Sequence, residues 1–501
     1  MKKGKILIIV ALLAFALAFV ACGGSDDNDA NEQTTVETGN QTTTETTTPT
    51  ETGGGDTTPV VDEGPPPRDL GGIEINIATW WTEYDTDTED PDTFAGRERL
   101  ADRRMLEELH NFRIREVRFG SWDDVRDNHP LQFMTGNTEH HIWVLQPDWY
   151  ASLALRGLLA PIPQTFFTEG VGGTMTWHEE TMDFVRMYSS DASYLTGFTQ
   201  GFGESAGGVY FNMRLFEEAG LPRDYPFQLQ AEGRWNWDEF TRIARLLTRD
   251  TTGDGINDTF ALATFHQDFL PRALVSNGAA IVSVCPDTGR FINTSQTPEF
   301  YEALAWVVQL REEGLVMHED DIGGEWNFFI EVFNNGGAAM RVGGSYIAGA
   351  QVNPNLTDDW GFVAFPMGPR ATGHYSFMSQ NLMAIPSAFS EEEIEKIMYA
   401  FMLWNRPLGI DEDGDDDDWM FEEMPNFRDI RSIEETMALY TRNTDLQRTP
   451  FHALVPGGFS VGDGFAFRVW TGEFDAQTIL EEVQLVWNET LTRANEQLGL
   501  E

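Results

Sequence analysis

The chain has 501 residues, 41% of them hydrophobic and 12% aromatic, with a formal net charge of −48. It is too long for one hydrophobic core, and its length suits two lobes of ordinary size plus appendages. A charge of that sign argues against nucleic acid or an anionic membrane surface as a partner, since both would repel it.

Lys2, Lys3 and Lys5 precede an apolar run over residues 6–20, which ends Phe19-Val20-Ala21-Cys22-Gly23. The run is shorter than the roughly 20 residues that span a bilayer, so it reads as an export signal over residues 1–21. It resembles a bacterial lipoprotein signal, with Phe19 where such signals usually carry Leu. That resemblance implies lipid, palmitate included, on Cys22 as the mature N-terminus. Cys285, the only other cysteine, reads as a small buried hydrophobe, and no internal disulfide is expected. Residues 22–70 are rich in Thr, Glu, Asp and Gly with few large apolar side chains, and so form a disordered acidic tether.

The foldable chain begins near Gly71. Residues 73–78 alternate as a strand and run into Trp80-Trp81. A charged helix over 96–110 follows, then a strand over 112–117 and a helix opening at Trp122. A buried strand over 141–145 leads to Asp148-Trp149-Tyr150. Strands alternating with helices predict an α/β fold with mostly parallel sheets and ligands beyond the strands' carboxyl ends. Further on, Val209-Tyr210-Phe211 is strand-like, and the helix after it is closed by Gly220. Asn236 stands as an N-cap with Glu239 three residues on, before an apolar face of Phe240, Ile243, Ala244 and Leu247. Thr297-Pro298 opens a helix, and Ser390 caps another whose apolar face includes Ile394, Ile397 and Phe401. Trp237 and Trp306 lie on helix faces and read as core.

Several of these pieces recur in order in a known family. YFNMRLFEEAGLP (210–222), WDEF (237–240) and DTTGDGIND (250–258) resemble the extracellular solute-binding proteins of family 1, the sugar-binding components of ABC importers. So do GLLAPI (157–162), FNNGGAAM (333–340), FPMGP (365–369) and the strand leading to Trp149, although Glu139-His140-His141 departs from the family's usual start. The resemblance covers about residues 71–495. It implies two lobes, each with a mostly parallel sheet, closing on a ligand in the cleft between them. The first lobe would span 71–190, the second 191–366, a return to the first lobe 367–418, and a C-terminal segment 419–501 mainly on the second lobe. It also implies a monomer on the extracytoplasmic face of the cell membrane, held by its lipid alone, that hands ligand to ABC permease transmembrane subunits.

The aromatics carry the functional reading. Sugar rings stack their C–H faces on indole and phenol while polar side chains read the hydroxyls. Trp80, Trp81, Trp149 and Tyr346 each follow a strand or glycine turn; the family pattern supports Trp149 and Tyr346. Gln146, Asp148, His266 and Asn381 are candidate hydroxyl partners. An acidic glycan is disfavoured by the overall charge unless a local arginine cluster overrides it; peptides and polyamines stay open as ligands. In the loop at 250–258, Asp250, Thr252, Asp254, the Ile256 carbonyl and Asp258 fall at EF-hand positions, but Ala261 stands where the bidentate Glu belongs. A structural Ca²⁺ is therefore one expectation and a plain turn the other. Residues 411–418 (DEDGDDDD) read as a solvated loop. No enzyme motif is compelling: Ser460 sits in a G-x-S-x-G flanked by further glycines rather than by a strand and helix. A surface glycoside hydrolase or lyase, and a non-transporting sensor or adhesion module, are the rival readings.

Overall fold

The computed structural model describes residues 66–500, apart from 82, 92–93, 172–176, 178, 190, 200–205, 318–326, 378–380, 407–417, 450, 459–463 and 473–474. Cys22, the signal, most of the tether, the acidic run at 411–417 and Ser460 therefore lie outside the described residues. The body is a two-lobed α/β fold, each lobe built on its own sheet.

The first sheet is centred on Ile73–Thr79, which pairs in parallel with Phe112–Arg118 on one side and Ile142–Leu145 on the other. Ile142–Leu145 is apolar throughout and buried at every position, as a strand covered on both faces must be. Two strands then arrive from later in the chain: Leu382–Ala384 lies antiparallel to Ile142–Leu145, and Phe198–Thr199 lies antiparallel to Leu382–Ala384.

In the second sheet Gly207–Asn212 is flanked by Ala338–Gly344 and Trp360–Ala364, both antiparallel to it. Phe260–Leu262 runs parallel to Ala338–Gly344. The sheets are thus mixed rather than mostly parallel. Parallel pairs occur where a strand returns through a helix; strands that arrive from the other lobe come in the opposite sense. The crossings also fall later than the sequence suggests. Phe198–Thr199 still belongs to the first sheet, and Arg370 is still tied to Glu299 and Glu302 of the second-lobe Pro298–Glu312 helix.

Local signals set the helix ends. Ser390 and Glu393 form a reciprocal capping box at the start of Glu391–Trp404. Asn236 accepts the Glu239 amide at 3.0 Å, but the Glu239 carboxylate turns away to Arg234 and Arg242, so only half of the expected box forms. Trp237 and Trp306 stack in the second-lobe core, 4.4 Å apart and 5° from parallel. Their indole N–H groups donate to Ser276 and Thr241. The long C-terminal helix Ala476–Gln497 is fastened to the second-lobe strand Phe291–Asn293, because Asn495 bonds both the amide and the carbonyl of Phe291. Among the described residues no helix is long and apolar enough to cross a membrane.

Candidate ligand-binding site

A cleft of about 600 Å³ opens between the lobes. The helices Trp122–Thr135 and Pro147–Leu155 form its first-lobe wall. Opposite stand Gln267, the segment His452–Gly458 and the end of the C-terminal helix. The wall helix Pro147–Leu155 begins directly beyond the carboxyl end of Ile142–Leu145, so its first-turn Asp148 lies at the edge where an α/β sheet presents ligands. Pro147 sets the first helical position, where a missing N–H costs nothing.

Of the residues nominated from the sequence, Gln146, Asp148 and Trp149 line this cleft. Gln146 donates to Asn381 at 2.8 Å, which sets its amide and places Asn381 behind it. Burial raises the Asp148 carboxyl above its ordinary value, against the pull of the Asp148 and Trp149 amides. Trp149 is only 6% exposed. His129 stacks on its ring at 5.2 Å and 22°, Trp122 lies tilted at 5.2 Å, and Trp80 meets it edge-on at 5.8 Å. Trp149 is therefore mainly a packing residue with one remaining edge toward the cleft, and half-buried Trp122 carries the more open indole. Trp80 sits behind Trp149, and Trp81 donates its indole N–H to Glu116 at 2.6 Å.

On the second lobe His266 is buried beside cleft-lining Gln267. Its ring packs on Phe265 and Phe467, its Nε2 has no partner, and burial pulls its pKa down to about 4. Tyr346 is not part of this cleft's lining. It is 63% exposed, yet its phenol is pushed up to about 12 by desolvation and then by Asp268. Its ring stands open on the second lobe just past the strand Ala338–Gly344.

Sequence reasoning missed Trp122 as a lining residue, together with Arg126, Arg156, Gln267, His452 and Arg493. The glycines at 457–458 were visible as a loop, but not that Trp487 would hold it by donating to the Pro456 carbonyl at 3.0 Å.

The loop at 250–258 lies on the exposed surface. Asp250 accepts the amides of Gly253 and Gly255, and Asp258 those of Thr251 and Thr252. Asp254 accepts the Ile256 amide, and the Thr252 hydroxyl donates to Asp250. In this closed form the carboxylates serve the turn. Among the described residues no group of three or more His, Cys, Asp or Glu side chains is placed to hold a metal ion.

Two lobes on separate sheets, crossed several times by the chain and parted by a lined cleft, define a solute-binding protein. Residues 98–396, more than half the chain, match the family described as bacterial extracellular solute-binding protein, and the chain belongs to that family. No curated protein matches the sequence. Solved structures share the fold. One is an ABC substrate-binding protein from Listeria monocytogenes in complex with cycloalternan, with TM-score 0.57 and 14% identity over 86% of this chain and 100% of that one. Another is the cyclic alpha-maltosyl-1,6-maltose binding protein of Arthrobacter globiformis, with TM-score 0.56 and 16% identity over 84% and 99%. UgpB from Mycobacterium tuberculosis, in complex with glycerophosphocholine, gives 0.56 and 15% over 84% and 98%.

Proposed function

We infer that this chain is the extracytoplasmic substrate-binding component of an ABC importer, that its ligand is a sugar or oligosaccharide, and that it releases that ligand unaltered to permease subunits. The carrying observation is the cleft of about 600 Å³, in which an indole wall faces polar groups contributed by the other lobe. A volume of that order suits a small ligand held by apolar contact and a few placed polar groups. The named ligands of the Listeria and Arthrobacter neighbours support a carbohydrate. Ligand contacting both lobes stabilises a closed form that the open form cannot match, so closure follows from differential contact. Cys22, lipidated, anchors the protein, and the acidic tether lets the body stand clear of the membrane.

The test is a thermal-shift and calorimetric screen of the mature protein against a glycan panel, with chromatography of each glycan afterwards. At least one glycan should raise Tm and bind stoichiometrically while remaining intact. Gln146→Ala should weaken that binding severalfold with little effect on Tm. Appearance of cleaved product would replace this reading with a glycoside hydrolase or lyase.

A further inference from the structure

The cleft lining holds more arginines than carboxylates, in a chain that is acidic as a whole. Against a total of −48, the lining holds Arg126, Arg156 and Arg493, and its only carboxylate among the described residues is Asp148. Arg126 is held by Asp123 and Asp127 and lies over Trp122, its carbon 5.2 Å from the ring centroid. Arg493 pairs with Glu489 at 3.0 Å. Arg156 differs from both. It caps the end of Pro147–Leu155 and, among the described residues, makes no ion pair and no side-chain hydrogen bond.

Two further arginines, Arg272 and Arg341, are buried in the second lobe outside the lining of the cleft. Each is 2% exposed. Asp268 pairs with Arg272 at 3.0 Å and also acts on Arg341, favouring its charged form against the desolvation that opposes it. Arg341 donates through Nη2 to Gln351 and lies over Phe329, while its Nε and Nη1 have no partner. A guanidinium buried in this way is costly unless something answers it.

The total charge does not cancel the charge of Arg156, which is unpaired among the described residues. Screening at physiological salt acts over about 8 Å, so carboxylates on the far surfaces contribute little inside the cleft. Resting on the sugar-binding reading above, we propose that the ligand is an acidic carbohydrate. Its anionic group pairs with the planar fork of Arg156 while its ring lies along the Trp122–Trp149 wall. The same chemistry is offered by a uronic acid carboxylate and by a sugar phosphate.

Calorimetry on the mature chain with three probes separates the cases: uronic acid trisaccharides, neutral trisaccharides of the same linkages, and hexose phosphates. An acidic probe should bind at least tenfold tighter than its neutral counterpart, and its affinity should fall as sodium chloride is raised from 50 to 500 mM. Which acidic probe binds tells carboxylate from phosphate. Arg156→Gln should remove most of the acidic preference, and Arg156→Lys should restore part of it. If neutral trisaccharides bind as tightly as acidic ones, or if Arg156→Gln weakens both equally, the acidic assignment falls and the importer reading stands. If no carbohydrate binds the folded protein, both fall. Salt dependence in the unaltered chain decides the matter should Arg156→Gln not fold.

Discussion

His266 shows how a single side chain ties the cleft to acid stability. It is 7% exposed, packed on two phenylalanines, and its Nε2 lacks a partner. Burial lowers its pKa from 6.5 to about 4, so the fold accepts the neutral ring and resists the charged one. Its contribution is therefore complete above pH 6.5 and is lost as pH falls through 4. At pH 4.5 that loss is about 2–3 kcal/mol by the free-energy equivalent of a pKa shift. Urea unfolding at pH 7.5 and pH 4.5 should show His266→Phe losing less stability between the two than the unaltered chain, by roughly that amount. Equal losses would mean that the ring is protonated without penalty. The residue was nominated from sequence as a hydroxyl reader, and the structure places it beside the cleft but within the packing. Gln146 and Trp149 were legible because they follow a buried strand at the edge where ligands gather. The His129 ring over Trp149 was not, since it comes from a neighbouring helix and no local pattern pairs the two.

Among the elements, the loop at 250–258 makes the sharpest case, because one set of carboxylates is suited to two purposes. Gly253 and Gly255 have φ of 79° and 87°, a left-handed geometry that lets the amides curl back onto Asp250. Asp250 and Asp258 already use acceptor sites on the loop amides, and Ala261 stands where a calcium loop needs its bidentate carboxylate, so the ligand set is incomplete. The expectation is that EDTA and millimolar CaCl₂ leave Tm unchanged, whereas Asp250→Ala lowers it by a few degrees. A rise in Tm with calcium, abolished by Asp250→Ala, would show that the loop reorganises around the ion. Elements of this kind were legible because their information is local: the Ser390 box, the Pro298 start and the Trp237–Trp306 faces are each fixed by residues a few positions apart. Strand direction was not. Alternation tells which face of a strand is buried, and says nothing of which neighbour it pairs with or in which sense. Leu382–Ala384 therefore gave no sign of lying antiparallel to Ile142–Leu145, more than two hundred residues earlier.

For the whole molecule, two lobes can close only if the segments crossing between them bend together. Two of these segments meet: Ser376–Phe377 pairs in parallel with Gln447–Arg448, tying the return to the first lobe to the C-terminal segment. A third passes close by, since Gly207 opens the central strand of the second sheet just after its crossing. A Cβ there would collide with the Arg272 guanidinium and the Ser376 hydroxyl. Glycine is thus required for the close approach of a buried cation and a hydroxyl to the strand, at a position far in sequence from either. Gly207→Ala must displace Arg272, Ser376 or the strand itself, although it removes no lining residue of the cleft. It should lower Tm, weaken ligand severalfold, and reduce the ligand-induced contraction seen by small-angle scattering. A fall in Tm alone, with affinity and contraction intact, would make Gly207 a packing constraint and move the hinge elsewhere. Lobe number was legible from length and motif order, but this junction was not, because steric exclusion at a glycine depends on side chains that only the folded chain brings to it.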